Sequence, residues 1–173
     1  MLFKFAGSII VILSCSFIGV ILSRDCVRRP AQLRELQAIL QMFENQISYL
    51  CNVIMEAFEK ISRVGGSETC IFFSRTIEIL KEEKTISAAE AWERAVAQCI
   101  RRTALNREDQ EILSAFGKLL GNTDIEGQIG NIRLTMGQLK LQEEKAEESR
   151  KKNESMYRSL GILGGIAVVT VLL

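Results

Sequence analysis

From Pro30 to Leu139 the apolar residues recur at intervals of three and four, the period of helices that bury one face. Leu33, Leu36, Leu40, Phe43, Ile47, Leu50, Ile54, Phe58 and Ile61 form a stripe about nine turns long. Pro30 opens it, because a first-turn residue has no helical use for its N–H, and Val64-Gly65-Gly66-Ser67 closes it. The spacing predicts a second helix from Thr69 to Glu83, with Phe72, Phe73, Ile77 and Leu80 inward. Ser87 and Glu90 have capping-box spacing and launch a third helix, burying Ala88, Ala91, Trp92, Ala95, Val96 and Cys99. Its alanines let a neighbouring backbone approach, with Trp92 filling the space beside them. Asn106 and Asp109 repeat the start signal for a helix that carries Ile112, Leu113, Phe116, Leu119 and Leu120 inward and ends at Gly121. Glu108, Asp109 and Glu111 lie early in this helix and Lys118 late, which suits its dipole.

Thr123 and Glu126 mark a last start, followed by Ile129, Ile132, Met136 and Leu139. No proline lies between Asp124 and Leu173, so a continuous helix of about 50 residues, roughly 75 Å long, is expected. Gly127, Gly130 and Gly137 weaken it locally and are read as points of close helix packing, with Gly137 the place for any kink. The mixed charges from Lys140 to Arg158 read first as a solvated face and second as a partner surface.

Charge is missing at both ends. Phe5 to Leu22 carries no ionisable side chain except the Cys15 thiol, and Leu160 to Leu173 carries none. As helices these runs rise about 27 Å and 21 Å, against a hydrocarbon core of about 30 Å. The first reads as a retained transmembrane anchor. A cleaved signal peptide is the competitor, but Arg24 to Arg29 offers no small-x-small cleavage site. The second spans if Lys152 and Arg158 snorkel or the bilayer thins; a reentrant or interfacial segment is its alternative. Gly161, Gly164 and Gly165 give it a small-residue face for another helix. The chain thus divides into an anchor at 1–23, an all-helical domain at 24–158 and a membrane segment at 159–173. Basic residues Arg24, Arg28, Arg29, Lys151, Lys152 and Arg158 lie on the inner flanks and only Lys4 on an outer one, which predicts a cytosolic middle domain. The expected fold class is all-α, a helical bundle flanked by N- and C-terminal transmembrane helices.

Composition narrows the chemistry. Net charge is +1, and apart from Lys4 all the Lys, Arg, Asp and Glu residues lie between the two apolar runs, so no bias towards nucleic acid appears. The 5 cysteines show no CxxC pairing, in keeping with a reducing compartment, and Cys70 and Cys99 read as packing residues. With 0 histidines, Ser-His-Asp and Cys-His arrangements and His-containing zinc sites are excluded. Gly65-Gly66 lacks a GxxxxGK[ST] context. Asp109, Asp124 and Glu126 are the nearest approach to an acidic constellation, and capping and helix-dipole roles already account for them. No catalytic residue, cofactor or metal is expected, and the chain reads as non-enzymatic.

In order, these features resemble the stage III sporulation protein AB family over nearly the whole chain. The likeness runs through Arg29-Pro30, Leu33, Arg34, Leu36, Ala38, Leu40, Gln41, Glu44, Ile47 and Tyr49. It resumes at Ala91-Trp92-Glu93 and Phe116-Gly117-Lys118-Leu119-Leu120-Gly121, then Asp124 and Gln128, and closes on Lys152-Asn153-Glu154-Ser155-Met156 and Ser159-Leu160-Gly161. The family often carries a proline where this chain has Val53. Its absence permits the first helix to run straight through Ser48 to Ile54, although a break held by Cys51 and Asn52 stays open.

The resemblance implies a cell-membrane component on the mother-cell side of the engulfed forespore, part of a secretion-like channel between the two cells. It also implies a soluble part similar to the cytoplasmic helical domain of type II secretion and type IV pilus platform proteins, with a secretion-type ATPase as cytosolic partner. The candidate cytosolic contacts are Arg28, Arg29, Lys118, Asp124, Lys152, Asn153 and Glu154; the candidate membrane-helix contacts are Gly161, Gly164 and Gly165. Expected partners are the ATPase, other membrane components of the channel and the lipid bilayer. A self-associating scaffold, a homo-oligomer that binds no ATPase, is the alternative.

Overall fold

The structure is a computed structural model that describes residues 27–48, 54–64 and 68–172, with side chains in the last helix described through Asn153 and at Met156. The first apolar run, Leu50 to Val53 and the Gly65-Gly66 stop lie outside the described residues. The described residues form six helices in chain order: α1 (27–48), α2 (Ile54–Val64), α3 (Ile71–Glu82), α4 (Ala88–Cys99), α5 (Arg107–Lys118) and α6 (Ile125–Leu172). Single 3-10 turns, Glu68–Cys70 and Ile100–Arg102, precede α3 and follow α4. No strand occurs among the described residues, so the domain is all-α.

The predicted stripe is buried: Leu33, Leu36, Leu40, Phe43 and Ile47 on α1, and Phe58 and Ile61 on α2. It does not lie along one straight helix. Phe43 and Phe58 would be about 22 Å apart in a continuous helix, yet their ring centroids are 5.0 Å apart, and Lys60 Nζ donates to Gln46 Oε1 at 3.2 Å. Helix α2 therefore packs beside α1 rather than extending it, because the stripe buries more completely when its halves pack on each other.

Trp92 occupies the centre and is fully buried. Phe73, Phe116, Phe58 and Phe72 surround it at centroid distances of 4.9, 5.2, 5.7 and 6.5 Å, and its Nε1 donates to the Leu113 carbonyl at 2.7 Å. The indole thus spans the contact between α4 and α5 with its polar edge satisfied.

The expected starts of α4 and α5 are present as reciprocal capping boxes, Ser87 with Glu90 and Asn106 with Asp109. Gly121, at φ +75, follows α5 in the left-handed region. At α6 the cap shifts by one residue. Asp124, not Thr123, accepts the Gly127 N–H at 2.9 Å, while Thr123 Oγ1 accepts from Gln128 Nε2. A Cβ at Gly127 would stand 2.9 Å from both the Asp124 carboxylate and Thr123 Cβ, so glycine fits this crowded cap. Gly130 and Gly137 have nothing within 4 Å of where a Cβ would stand; they face open space rather than a packed helix. Leu119, expected inward, is 42% exposed at the C-cap of α5.

Helix α6 runs unbroken for 48 residues, about 72 Å. Its buried stripe includes Ile132, Leu139 and Ala146 together with Gln128, Asn131, Thr135, Gln142 and Glu143. Gln128 and Asn131 donate to the Leu119 and Phe116 carbonyls at the end of α5, adding to the longer bonds that these oxygens accept from the Asn122 N–H at 3.3 Å and the Leu119 N–H at 3.4 Å. The stripe continues into the charged segment that had been expected to be a solvated face, so one side of that segment is packed. Among the described residues no helix is long and apolar enough to cross a membrane.

Candidate functional site

Two of the polar groups that the sequence singles out, Arg29 and Asp109, meet beside α6, which lies against α1 and α5. Arg29, in the first turns of α1, reaches Asp109 in a two-pronged contact: Nε to Oδ2 at 2.8 Å and Nη2 to Oδ1 at 2.9 Å. The same Nη2 donates to Gln142 Oε1 at 3.0 Å, and Gln142 Nε2 donates to Glu108 at 2.9 Å. The Asp109 side chain is fully buried and that of Arg29 only 17% exposed. Asp109 also accepts the Asn106 N–H, so one carboxylate closes a helix cap and neutralises an arginine from another helix. Arg29 ties α1, α5 and α6 together, and its guanidinium is committed inside the fold.

Next to Gln142 on α6, Glu143 receives Arg34 Nε at 2.6 Å, Gln37 Nε2 at 2.9 Å and Lys140 Nζ at 3.1 Å. Burial pushes its carboxyl upward, but hydrogen bonds from Gln37, Arg34 and Lys140, with the Lys140 charge, outweigh that and bring it down from 4.5 to about 2. A carboxyl lowered in the folded state stabilises the fold fully above its unfolded value and loses that contribution as pH falls towards the folded one. The melting temperature is therefore expected to drop as pH falls from about 4.5 to about 2. Glu143→Gln should flatten the part of that drop that belongs to this group, read from parallel thermal melts of the two proteins.

The other candidates are dispersed. Arg28 pairs with Glu68 at 2.7 Å, and Arg28 with Gln32 holds the Glu68 carboxyl below its ordinary value. Lys118 is exposed at the end of α5, Asp124 is exposed at the cap of α6, and Lys152 is exposed and Asn153 half-buried about 40 Å further along α6. Glu154, Gly161, Gly164 and Gly165 belong to the α6 backbone, but their surroundings lie outside the described side chains. Asp109 lies in the first turn of α5 and Asp124 beyond its other end, with about 14 Å of helix between them, so the acidic constellation does not converge. Among the described residues no group of three His, Cys, Asp or Glu could hold a metal. Cys70 and Cys99 are buried, and burial pushes the Cys99 thiol up.

Sequence reasoning missed Gln142 and Glu143 as inward residues. The signal was present, since they follow Leu139 at spacings of three and four. The partnership of Arg29 with Asp109 left no local trace, because 80 residues separate them.

The fold and this seam define a class: a small helical bundle packed against one long helix and tied to it by buried polar contacts. The chain belongs to the stage III sporulation protein AB family, whose match covers residues 4–173. A relative in Bacillus subtilis (strain 168), named stage III sporulation protein AB, is 29% identical over 170 residues, covering 98% of this chain and 99% of the relative. A solved structure of a stage III sporulation protein AB, also 29% identical, superposes with a TM-score of 0.66 over 72% of this chain and 98% of its own. Family membership supports a role in sporulation.

Proposed function

We propose that this chain is a non-enzymatic platform subunit of the channel between mother cell and forespore, working at the mother-cell membrane. Segments 1–23 and 159–173 attach it to the bilayer, and the helical domain between them faces the cytosol and docks a secretion-type ATPase, as in type II secretion platforms. The observation that carries this reading is α6: a single helix packs within the bundle, continues through the basic segment Arg150 to Lys152 and extends into the apolar run to Leu172. A continuous helix transmits displacement along its length, and Arg29 and Glu143 bind it to the bundle. Lys118, Asp124 and Lys152 are exposed and remain the proposed cytosolic contacts, while Gly161, Gly164 and Gly165 form the proposed contact with channel partners in the bilayer.

Photocrosslinking from Lys118, Asp124 and Lys152 during sporulation is expected to capture the ATPase. Replacing Gly161, Gly164 and Gly165 with leucine should reduce co-purification of membrane partners while the melting temperature of the helical domain holds. Unchanged co-purification would remove the glycine face from the proposal, and failure to capture the ATPase in cells that make it would favour the self-associating scaffold.

A further inference from the structure

We propose that the groove between α5 and the outer edge of α6 is a docking site for a basic amphipathic helix of a partner protein. The inference goes beyond the platform reading and depends on neither membrane attachment nor an ATPase.

The groove encloses about 610 Å³ and is open to solvent along its length. Its floor is apolar: Ile112 and Ala115 from α5 and Leu141 from α6. Leu141 is 61% exposed although it lies between the buried Leu139 and Gln142, so it points away from the face that packs into the bundle. Four carboxylates, Glu108, Glu111, Glu144 and Glu148, line the same groove against a single ammonium, Lys145, in a chain whose net charge is +1. Glu108 is engaged by Gln142 and by Lys145 at 3.7 Å, and Glu111 by the exposed Arg107 at 3.2 Å. Glu144 and Glu148 make no ion pair with any described residue and stand on the α6 side of the floor.

An exposed leucine ringed by carboxylates calls for an apolar anchor with positive charge around it, the pattern of helix-in-groove recognition. Shape favours a helix over a small ligand, because the groove is long and shallow and no unpartnered buried polar group points into it. On α6 the lining runs from Gln138 to Glu148, about 15 Å, room for about three turns of a third helix. Ala115 leaves that helix space to approach α5. An anionic bilayer surface is disfavoured by the same carboxylates. A second copy of this chain would have to bring a basic apolar face, whereas the exposed faces of α5 and α6 carry both signs.

The test uses the full-length protein, immobilised in nonionic detergent, and a 14-residue amphipathic peptide built only of leucine and lysine. A leucine-glutamate peptide of the same pattern is the control. The leucine-lysine peptide is expected to bind saturably at one site and to weaken with salt; the control should not bind. Leu141→Asn and the paired change Glu144→Lys with Glu148→Lys should each weaken binding at least tenfold, whereas Glu93→Lys on the exposed face of α4 should not. Wild-type and variant surfaces measured side by side cancel peptide held by detergent. A photoreactive leucine in the peptide should label wild-type protein within 108–115 and 138–148, a readout that needs no variant. Equal loss on Glu93→Lys, or labelling elsewhere, would overturn the proposal. So would a wild-type dimer that Leu141→Asn dissociates, since the groove would then belong to a second copy.

Discussion

Gly117→Ala is expected to destabilise the protein by about 1–3 kcal/mol, the usual cost of forcing one extra methyl into a packed core. A Cβ at Gly117 would lie 2.2 Å from Trp92 Cδ1 and 3.1 Å from both Cγ and Nε1, far inside the roughly 3.5–4.0 Å at which carbon atoms attract. The indole has no free direction in which to yield. Four phenylalanines surround it, and its N–H is held by the Leu113 carbonyl, one turn before Gly117 on the same helix. Tilting the ring to clear a methyl group would break that hydrogen bond and open gaps on the far side. Gly117→Val should cost more. The decisive comparison is a double-mutant cycle with Trp92→Leu, itself destabilising through the cavity it leaves. In that background Gly117→Ala should lose most of its penalty, giving a coupling energy of at least about 1 kcal/mol by thermal or urea unfolding. Equal penalties in both backgrounds would show that the contact does not set the requirement for glycine.

That pair also separates what could be read from the chain from what could not. Trp92 beside small residues was legible, because Ala88, Ala91 and Ala95 lie on its own helix at helical spacing. Gly117 was legible only as part of a family motif, since its reason lies on another helix. The caps of α4 and α5 were readable for the same reason that they are strong: donor and acceptor lie three residues apart. The cap of α6 was misplaced because Thr123 and Asp124 both carry suitable oxygens, and only packing assigns one to the Gly127 N–H and the other to Gln128.

The first stripe shows the complementary failure. Periodicity states which residues face inward and says nothing about whether the chain folds back, so Phe43 and Phe58 were assigned to one face and found in one cluster by a different path. Gly130 and Gly137 were read as contact points because glycine in a helix usually needs a reason; the surface around them supplies none. The polar seam was hidden for a physical reason as well. Charged residues are normally solvated, and Glu143 and Asp109 are buried only because cationic partners arrive from α1.

Arg29→Ala should have the largest effect of any single change in that seam. It removes two hydrogen bonds to Asp109 and one to Gln142, leaving a fully buried carboxylate with only the Asn106 N–H outside its own helix. Breaking a buried ion pair by deleting one partner costs about 3–5 kcal/mol, mostly because the other charge stays buried without compensation. For a chain of this length the melting temperature should fall by on the order of 10 °C. Arg29→Lys should recover part of the loss, since an ammonium supplies charge but not the fork that meets both carboxylate oxygens. The double variant Arg29→Met with Asp109→Asn should lie closer to wild type than Arg29→Met alone. It leaves no unpaired charge, and an asparagine at 109 can still accept the Asn106 N–H and keep the α5 cap. Thermal melts of the wild type, Arg29→Met, Asp109→Asn and the double variant give the coupling directly. Additive losses would mean that Arg29 stabilises α1 by itself; strong coupling would identify the pair as what fastens the start of α1 to α5 and the middle of α6. In the proposed platform role that fastening matters, because α1 follows the first apolar run in sequence and α6 leads into the second. A loose Arg29 would let the two ends of the chain move independently of the bundle between them.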